Sequence, residues 1–265
     1  SLEQIEQILK ENQDIALVYI THNETGTGIL NPIREIGALA HAYGAIFVVD
    51  TTSTYAMRPI NIKNDNIDFC MASAQKGLMA MTGISFVVGK RTIIEQSKTY
   101  PKRSYYCNLY MQYHYFEAHG EMHFTPPVQT VYAMRQAIKE YFAEGEQKKW
   151  ERHTRVFEAL HKGIERLGFQ NIIKRDWQAG LVVTVKYPDD PNWSFSAIHD
   201  YCYKRGFTIY PGKINNTETF RLCALGAIDQ SDIETFFEVF EAGLREMEVS
   251  LPVHYGLEEQ TDERE

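Results

Sequence analysis

Few cysteines, no long apolar run and no surplus of positive charge set the first limits on this chain. Its four cysteines, Cys70, Cys107, Cys202 and Cys223, are widely spaced and form no CxxC pair. A disulfide framework is therefore not expected, and reduced thiols in a cytoplasmic protein are the simpler expectation. No apolar run reaches the roughly 18 residues that a membrane helix needs, and no signal-peptide pattern opens the chain. Acidic residues outnumber basic ones, 35 to 27, for a formal net charge of −8. That balance argues against nucleic acid or an anionic membrane as the main partner. Internal repeats and low-complexity segments are missing too. What remains is an ordinary folded chain, with 44% apolar residues in 265 positions, enough for one large domain or two modest ones.

The first 90 residues alternate strand and helix signals. Ile15 to Ile20 is a short continuous apolar run, as expected for a strand buried on both faces. Asn31-Pro32 reads as an N-cap followed by proline in the first helical position. Ile33, Ile36, Leu39, Ala40 and Tyr43 then fall on one helical face, and Gly44 supplies the stop. Ala45 to Val49 forms a second buried run ending at Asp50, Ile67 to Ser73 a third, and Ile84 to Val88 a fourth. Such alternation predicts an α/β fold with a mostly parallel sheet, in which ligands gather beyond the carboxyl ends of the strands. Asp50 and Lys76 both stand just beyond such ends.

From Tyr100 to Pro127 the chain is aromatic and polar without clear periodicity, which predicts a long ordered excursion serving function or subunit contact. Helices are expected over 128–142 and 147–167. A strand at Leu181–Lys186, a helix at Ser196–Arg205, short strands near Thr208 and Phe220, and a helix at Ser231–Met247 complete a smaller α+β domain. The expected division is 1–145 and 146–265, with a frayed acidic tail at Glu258–Glu265.

Taken alone, an aspartate at a strand end is often a helix cap, and a lysine after a strand is often a surface charge. Their chemistry nonetheless suits one cofactor. A lysine amine forms a Schiff base with an aldehyde, and a carboxylate holds a protonated pyridine nitrogen, which makes the ring an electron sink. The histidines offer a metal reading, because His119 and His123 are spaced i, i+4. Gly120 and the Thr125-Pro126-Pro127 run argue against the regular helix such a site needs, so no metal is expected. His22 reads as a structural histidine at a strand end. The aromatic run from Tyr105 to Phe116 reads as interface packing rather than base stacking.

Three segments in order, His22-Asn23-Glu24-Thr25-Gly26-Thr27-Gly28-Ile29-Leu30-Asn31-Pro32, Val48-Val49-Asp50 and Ser73-Ala74-Gln75-Lys76, resemble the successive signatures of class V aminotransferases. Lys76 follows Asp50 by 26 positions, as in that family. Downstream, the stretch from Arg103 to Tyr110, Phe124-Thr125-Pro126-Pro127, Ile209-Tyr210-Pro211-Gly212-Lys213 and Phe220-Arg221 are similar to the 2-aminoethylphosphonate:pyruvate branch of it. The resemblance implies a fold-type I pyridoxal 5'-phosphate (PLP) transferase, working as a homodimer on a small amino donor and a 2-oxo acid.

It also implies roles. Lys76 would bind the cofactor and shuttle a proton, and Asp50 would pair with the pyridine nitrogen. Thr25 would hydrogen-bond the phenolic oxygen, Thr52 would pack beneath the ring, and Gln75 and Thr125 would contact the phosphate, Thr125 across a dimer interface. Arg221 would clamp the carboxylate or phosphonate of the substrate. Structural readings stand beside these: Thr25 as a turn former, Arg221 as a strand-surface charge, Thr52 as packing. The family pattern includes an earlier third of the large domain, with a phosphate-binding turn and a stacking aromatic, that precedes Ser1. The expectation is thus an incomplete large domain with uncovered sheet edges. Two further functional readings are an alanine–glyoxylate or serine–pyruvate type aminotransferase, and a non-catalytic dimerisation or binding module.

Overall fold

A computed structural model describes residues 1–212, 214 and 217–256. Lys213 of the Ile209–Lys213 motif and the acidic tail Glu258–Glu265 lie outside the described residues. The chain forms two compact units, Ser1–His22 with Asn31–Glu146, and Asn23–Leu30 with the residues from Gln147 onward.

The first unit contains α1 (Leu2–Glu11), β1 (Leu17–Thr21), α2 (Ile33–Ala42), β2 (Ile46–Asp50), β3 (Phe69–Ser73), β4 (Ser85–Gly89), α3 (Arg91–Gln96), α4 (Leu109–His119) and α5 (Val128–Glu144). The sheet runs β1-β2-β3-β4, with the first two pairings parallel and the last antiparallel. Because side chains alternate across a strand, Phe47, Val49 and Cys70 point to one face and bury against Ile33, Ile36 and Ala40 of α2. The register places Tyr19, Thr21, Val48, Asp50 and Met71 on the other face. The strand from the Ile15–Ile20 run is not buried on both faces as expected: β1 is one edge of this sheet, β4 the other, and Leu17 and Tyr19 are about half exposed, at 49% and 53%.

Two further sequence expectations need correction. Asn31 does not cap α2; the helix follows Pro32 with no side-chain cap, and the Asn31 amide donates instead to the Thr21 carbonyl at 2.7 Å. That bond, with Asn31 N–H donating to the His22 carbonyl at 2.8 Å, closes the chain across residues 22 and 31. The second correction is α4, inside the stretch read as aperiodic. Asn108 caps it by accepting from Met111 N–H at 2.9 Å, and Gly120 ends it in the left-handed region. Aromatic and polar residues are spread round this helix and none is buried, so it has no apolar stripe to detect. His119 is its last residue, so His119 and His123 do not share a helical face.

Asp68 ties the unit together. Its carboxylate accepts from Phe47 N–H at 2.7 Å, His41 Nε2 at 2.9 Å and Lys90 Nζ at 2.6 Å, while itself buried. Burial pushes its pKa up, and Lys90, the Phe47 amide and His41 outweigh that, holding it below the usual carboxylate range. Asp68→Ala leaves the buried Phe47 N–H without an acceptor and is expected to cost about 2 kcal/mol in urea unfolding. A loss within experimental error would refute this assignment.

The second unit contains α6 (Glu146–Arg166), β5 (Val182–Lys186), α7 (Phe195–Tyr203), β6 (Tyr210–Pro211), β7 (Thr219–Cys223) and α8 (Gln230–Glu246). Its antiparallel sheet runs β5-β7-β6. Val183, Val185, Phe220 and Leu222 face a core shared with Val156, Phe157, Leu160 and Ile164 of α6 and Phe236, Phe237, Phe240 and Leu244 of α8. Those spacings of three and four make the amphipathic stripe that the sequence displays. Asp229 caps α8 in a capping box with Asp232. Among the described residues no helix is long and apolar enough to cross a membrane.

Candidate active site

Strand β2 delivers Asp50 at its carboxyl end. The carboxylate is fixed on both sides: Oδ1 accepts from Thr52 N–H at 2.8 Å, and Oδ2 faces the Tyr19 hydroxyl at 3.3 Å. The first bond is an Asx-type turn that breaks the strand and leaves Thr52 half-buried beside the carboxylate. The Asp50 carbonyl accepts from His22 N–H at 2.9 Å, and the buried His22 ring donates Nδ1–H to Thr54 Oγ1 at 2.9 Å. Thr54 in turn donates to the Thr51 carbonyl. Burial, followed by the nearby Arg58 charge, pushes the His22 pKa down to about 4.

The neighbouring strand β3 ends at Ser73, and Lys76 follows in a tight turn. Ala74 N–H donates to the Ile84 carbonyl, Ala80 N–H to that of Ala74, and Met79 N–H to that of Lys76, at 2.9–3.0 Å. Gly77 is required here: a Cβ at this position would stand 1.9 Å from the Tyr55 carbonyl oxygen. Lys76 is exposed, Gln75 is half-buried, and Ser73 Oγ is a buried atom with no partner among the described residues. Asp50 pairs with Met71 across the parallel ladder, so both reactive side chains leave the sheet at its same end.

Thr125 is exposed and precedes Pro127, the residue before α5. It adjoins an aromatic cluster in which Phe124 packs on Tyr105, Tyr106 and His123, with ring centroids 4.4–5.5 Å apart. Tyr115 packs on both His119 and His123, so these two histidines are ring partners of an aromatic group.

The second unit holds the other two expected residues. Arg221 lies on β7, opposite Thr184 of β5 and Tyr210 of β6. Its Nε donates to the Pro211 carbonyl at 3.0 Å and its Nη1 to the Thr25 carbonyl at 3.2 Å. Thr25 and Arg221 are thus joined directly, through the Thr25 backbone, and the Thr25 side chain is exposed. The structure brings Asp50, Thr52, Gln75 and Lys76 to adjacent strand ends of one unit, and Thr25 and Arg221 together in the other.

Tyr19, Ser73 and Gly77 were not anticipated. Strand alternation places Tyr19 and Thr21 on the face of Asp50 and is a signal for the first. Nothing in composition marks the close approach at Gly77.

The aminotransferase class-V family model matches residues 1–210. The chain belongs to this family. A 2-aminoethylphosphonate–pyruvate transaminase of Cupriavidus pinatubonensis is 34% identical over 93% of the chain, and one of Lysinibacillus sphaericus is 34% identical over 91%. The chain spans 65% of the length of each of these relatives. Among solved structures, pyridoxamine-pyruvate aminotransferase from Mesorhizobium loti matches with a TM-score of 0.85 at 20% identity, covering 95% of this chain and 65% of that one. Ureidoglycine-glyoxylate aminotransferase from Bacillus subtilis matches with a TM-score of 0.84 at 20% identity and the same coverage. At such identities these likenesses show the fold alone, that of the fold-type I PLP enzymes.

Membership of the class V aminotransferases implies PLP as cofactor. Within the first unit the donor set fits it: an oriented carboxylate at Asp50, an amine at Lys76, an amide at Gln75, a hydroxyl at Thr52, and Ser73 Oγ, which has no partner among the described residues.

Proposed function

We propose that this protein is a PLP-dependent aminotransferase that moves an amino group between 2-aminoethylphosphonate and pyruvate, giving phosphonoacetaldehyde and L-alanine. Arg221 carries the reading. With Nε and one Nη1 proton committed to backbone carbonyls, its guanidinium is held in place while the other N–H groups remain for an oxyanion of the substrate. The names of the relatives at 34% identity support the same substrates.

When bound, the cofactor supplies an electron sink for the substrate carbon that exchanges its proton. Lys76 Nζ anchors it and carries that proton. Asp50, oriented by Thr52 N–H, offers negative charge to a protonated ring nitrogen. The Thr25 hydroxyl would serve the phenolic oxygen and Thr52 would pack against the ring. Gln75 and, across the interface of a homodimer, Thr125 would donate to the phosphate. The protein acts in the cytoplasm, a setting that suits its four free cysteines.

A substrate panel tests the assignment, with alanine or phosphonoacetaldehyde as the measured product. 2-Aminoethylphosphonate with pyruvate is expected to react faster than alanine or serine with glyoxylate or pyruvate, and the reverse order would overturn the choice of donor. Arg221→Ala is expected to raise KM for the phosphonate about 10- to 100-fold, the worth of a charge-assisted hydrogen bond. An unchanged KM would remove Arg221 from substrate binding.

A further inference from the structure

Within the second unit, the segment from Asn23 to Leu30 is laid against residues 177–184 and Arg221 at a series of backbone and side-chain contacts. Leu30 N–H donates to the Trp177 carbonyl and Ala179 N–H to the Gly28 carbonyl, both at 2.9 Å, and Ile29 forms an antiparallel bridge with Gln178. Thr184 Oγ1 donates to the Gly26 carbonyl at 3.0 Å, next to the Thr25 carbonyl that receives Arg221 Nη1. At Gly28, φ is +91° and a Cβ would stand 2.5 Å from the Val182 carbonyl oxygen, so only glycine permits this approach. The position of the Thr25 carbonyl therefore follows from where residues 177–179 hold the segment.

Gln178 is the centre of that hold. Its side chain is buried and, among the described residues, bonds only to residues outside the segment. Its Oε1 accepts from His161 Nε2 at 2.8 Å, and its Nε2 donates to the Ile173 carbonyl at 2.8 Å. His161, on α6 and buried, receives Asn171 Nδ2 on Nδ1 at 3.3 Å and packs edge-on against Phe157. Both ring nitrogens are thereby hydrogen-bonded, which holds the ring in one orientation. A buried amide with both ends bonded cannot turn without leaving polar atoms unpaired.

We propose that Gln178, gripped by His161, is a positioning residue that sets the backbone of residues 25–28 and thereby aims the Arg221 guanidinium at the anionic group of the substrate. Neither residue touches substrate; each acts through the segment. This rests on the reading of Arg221 as the anion clamp. The geometry gives it a consequence separate from that reading: the Leu30 and Ala179 amides are protected from exchange only while the segment stays docked.

The test compares Gln178→Met, which keeps size and loses both hydrogen bonds, with Gln178→Glu, which keeps the acceptor for His161. Thr184→Val, nearly isosteric, loosens the segment at a second point should Gln178→Met fold poorly. Hydrogen exchange is expected to quicken about tenfold or more at Leu30 and Ala179 in Gln178→Met, less in Gln178→Glu, and not at Val183 or Leu222 within the sheet. KM for 2-aminoethylphosphonate is expected to rise about tenfold in Gln178→Met, and by less in Thr184→Val, with kcat changed far less. Protection lost equally across β5 and β7 would mean that Gln178 merely stabilises the unit and would overturn the proposal. So would faster exchange of the segment with KM unchanged in both variants. If Arg221→Ala raises KM and neither Gln178→Met nor Thr184→Val does, the positioning role falls while the clamp stands. An Arg221→Ala protein with unaltered KM removes the clamp itself, and with it this proposal, whatever the exchange data show.

Discussion

Replacing Lys76 with alanine is expected to abolish covalent capture of PLP and to lower amino transfer by at least about 10²–10⁴-fold, the usual worth of a positioned proton carrier. The substitution is a clean one. The Lys76 side chain is exposed, so its removal opens no cavity, and the turn that presents it is held by backbone bonds from Ala74 to Ala80. Gly77, the residue whose Cβ would collide with Tyr55, is untouched. Stability should therefore stay within about 0.5 kcal/mol of the parent. Absorbance after incubation with PLP, borohydride trapping followed by peptide mass analysis, and the amino-transfer assay give three readouts. A trapped adduct at Lys76 in the parent and none in the variant is the expected result. Undiminished turnover by the variant would end the assignment of Lys76.

His22 is expected to make the first unit acid-sensitive in a defined window. Its ring is neutral in the fold, because burial and then the Arg58 charge bring its pKa down from 6.5 to about 4. Between those values the unfolded chain takes up a proton that the folded chain refuses, so falling pH favours unfolding. Stability is thus highest above 6.5, declines as pH drops toward 4, and has nothing more to lose from this residue below 4. The gap corresponds to about 3 kcal/mol. His22→Asn keeps a side-chain donor in reach of Thr54 and cannot titrate, so its urea-unfolding stability should fall less steeply over this window than the parent's. Parallel pH profiles for the two proteins would show that His22 is not the titrating group. Because the His22 amide is bonded to the Asp50 carbonyl, the same acid transition should loosen the end of β2 that presents the carboxylate.

Asp50 and Lys76 were readable in the chain because of where apolar runs stop. Strands buried on both faces, such as β2, need continuous apolar sequence, so Val49 followed by Asp50, and the run to Ala74 followed by Gln75-Lys76, mark strand ends whatever the rest of the fold does. Helices α6 and α8 were legible for the related reason that one face of each must reach a core. Helix α4 was not, since no side of it is buried. The cap of α2 was misread because Asn31 has two acceptable partners locally, and the closure between residues 22 and 31 selects the Thr21 carbonyl.

By itself the sequence determined the α/β succession, the strand ends that carry Asp50 and Lys76, and the ordered motifs that resemble class V aminotransferases. Only the tertiary structure decided that Tyr19 faces Asp50, that Gly77 passes under Tyr55, and that Arg221 is fixed through the carbonyl of a residue 196 positions away. The division has one physical cause. Burial and periodicity act over a few neighbouring residues and leave a pattern in side-chain type, whereas a backbone carbonyl looks the same in every residue, and which donor reaches it is settled only when distant segments pack.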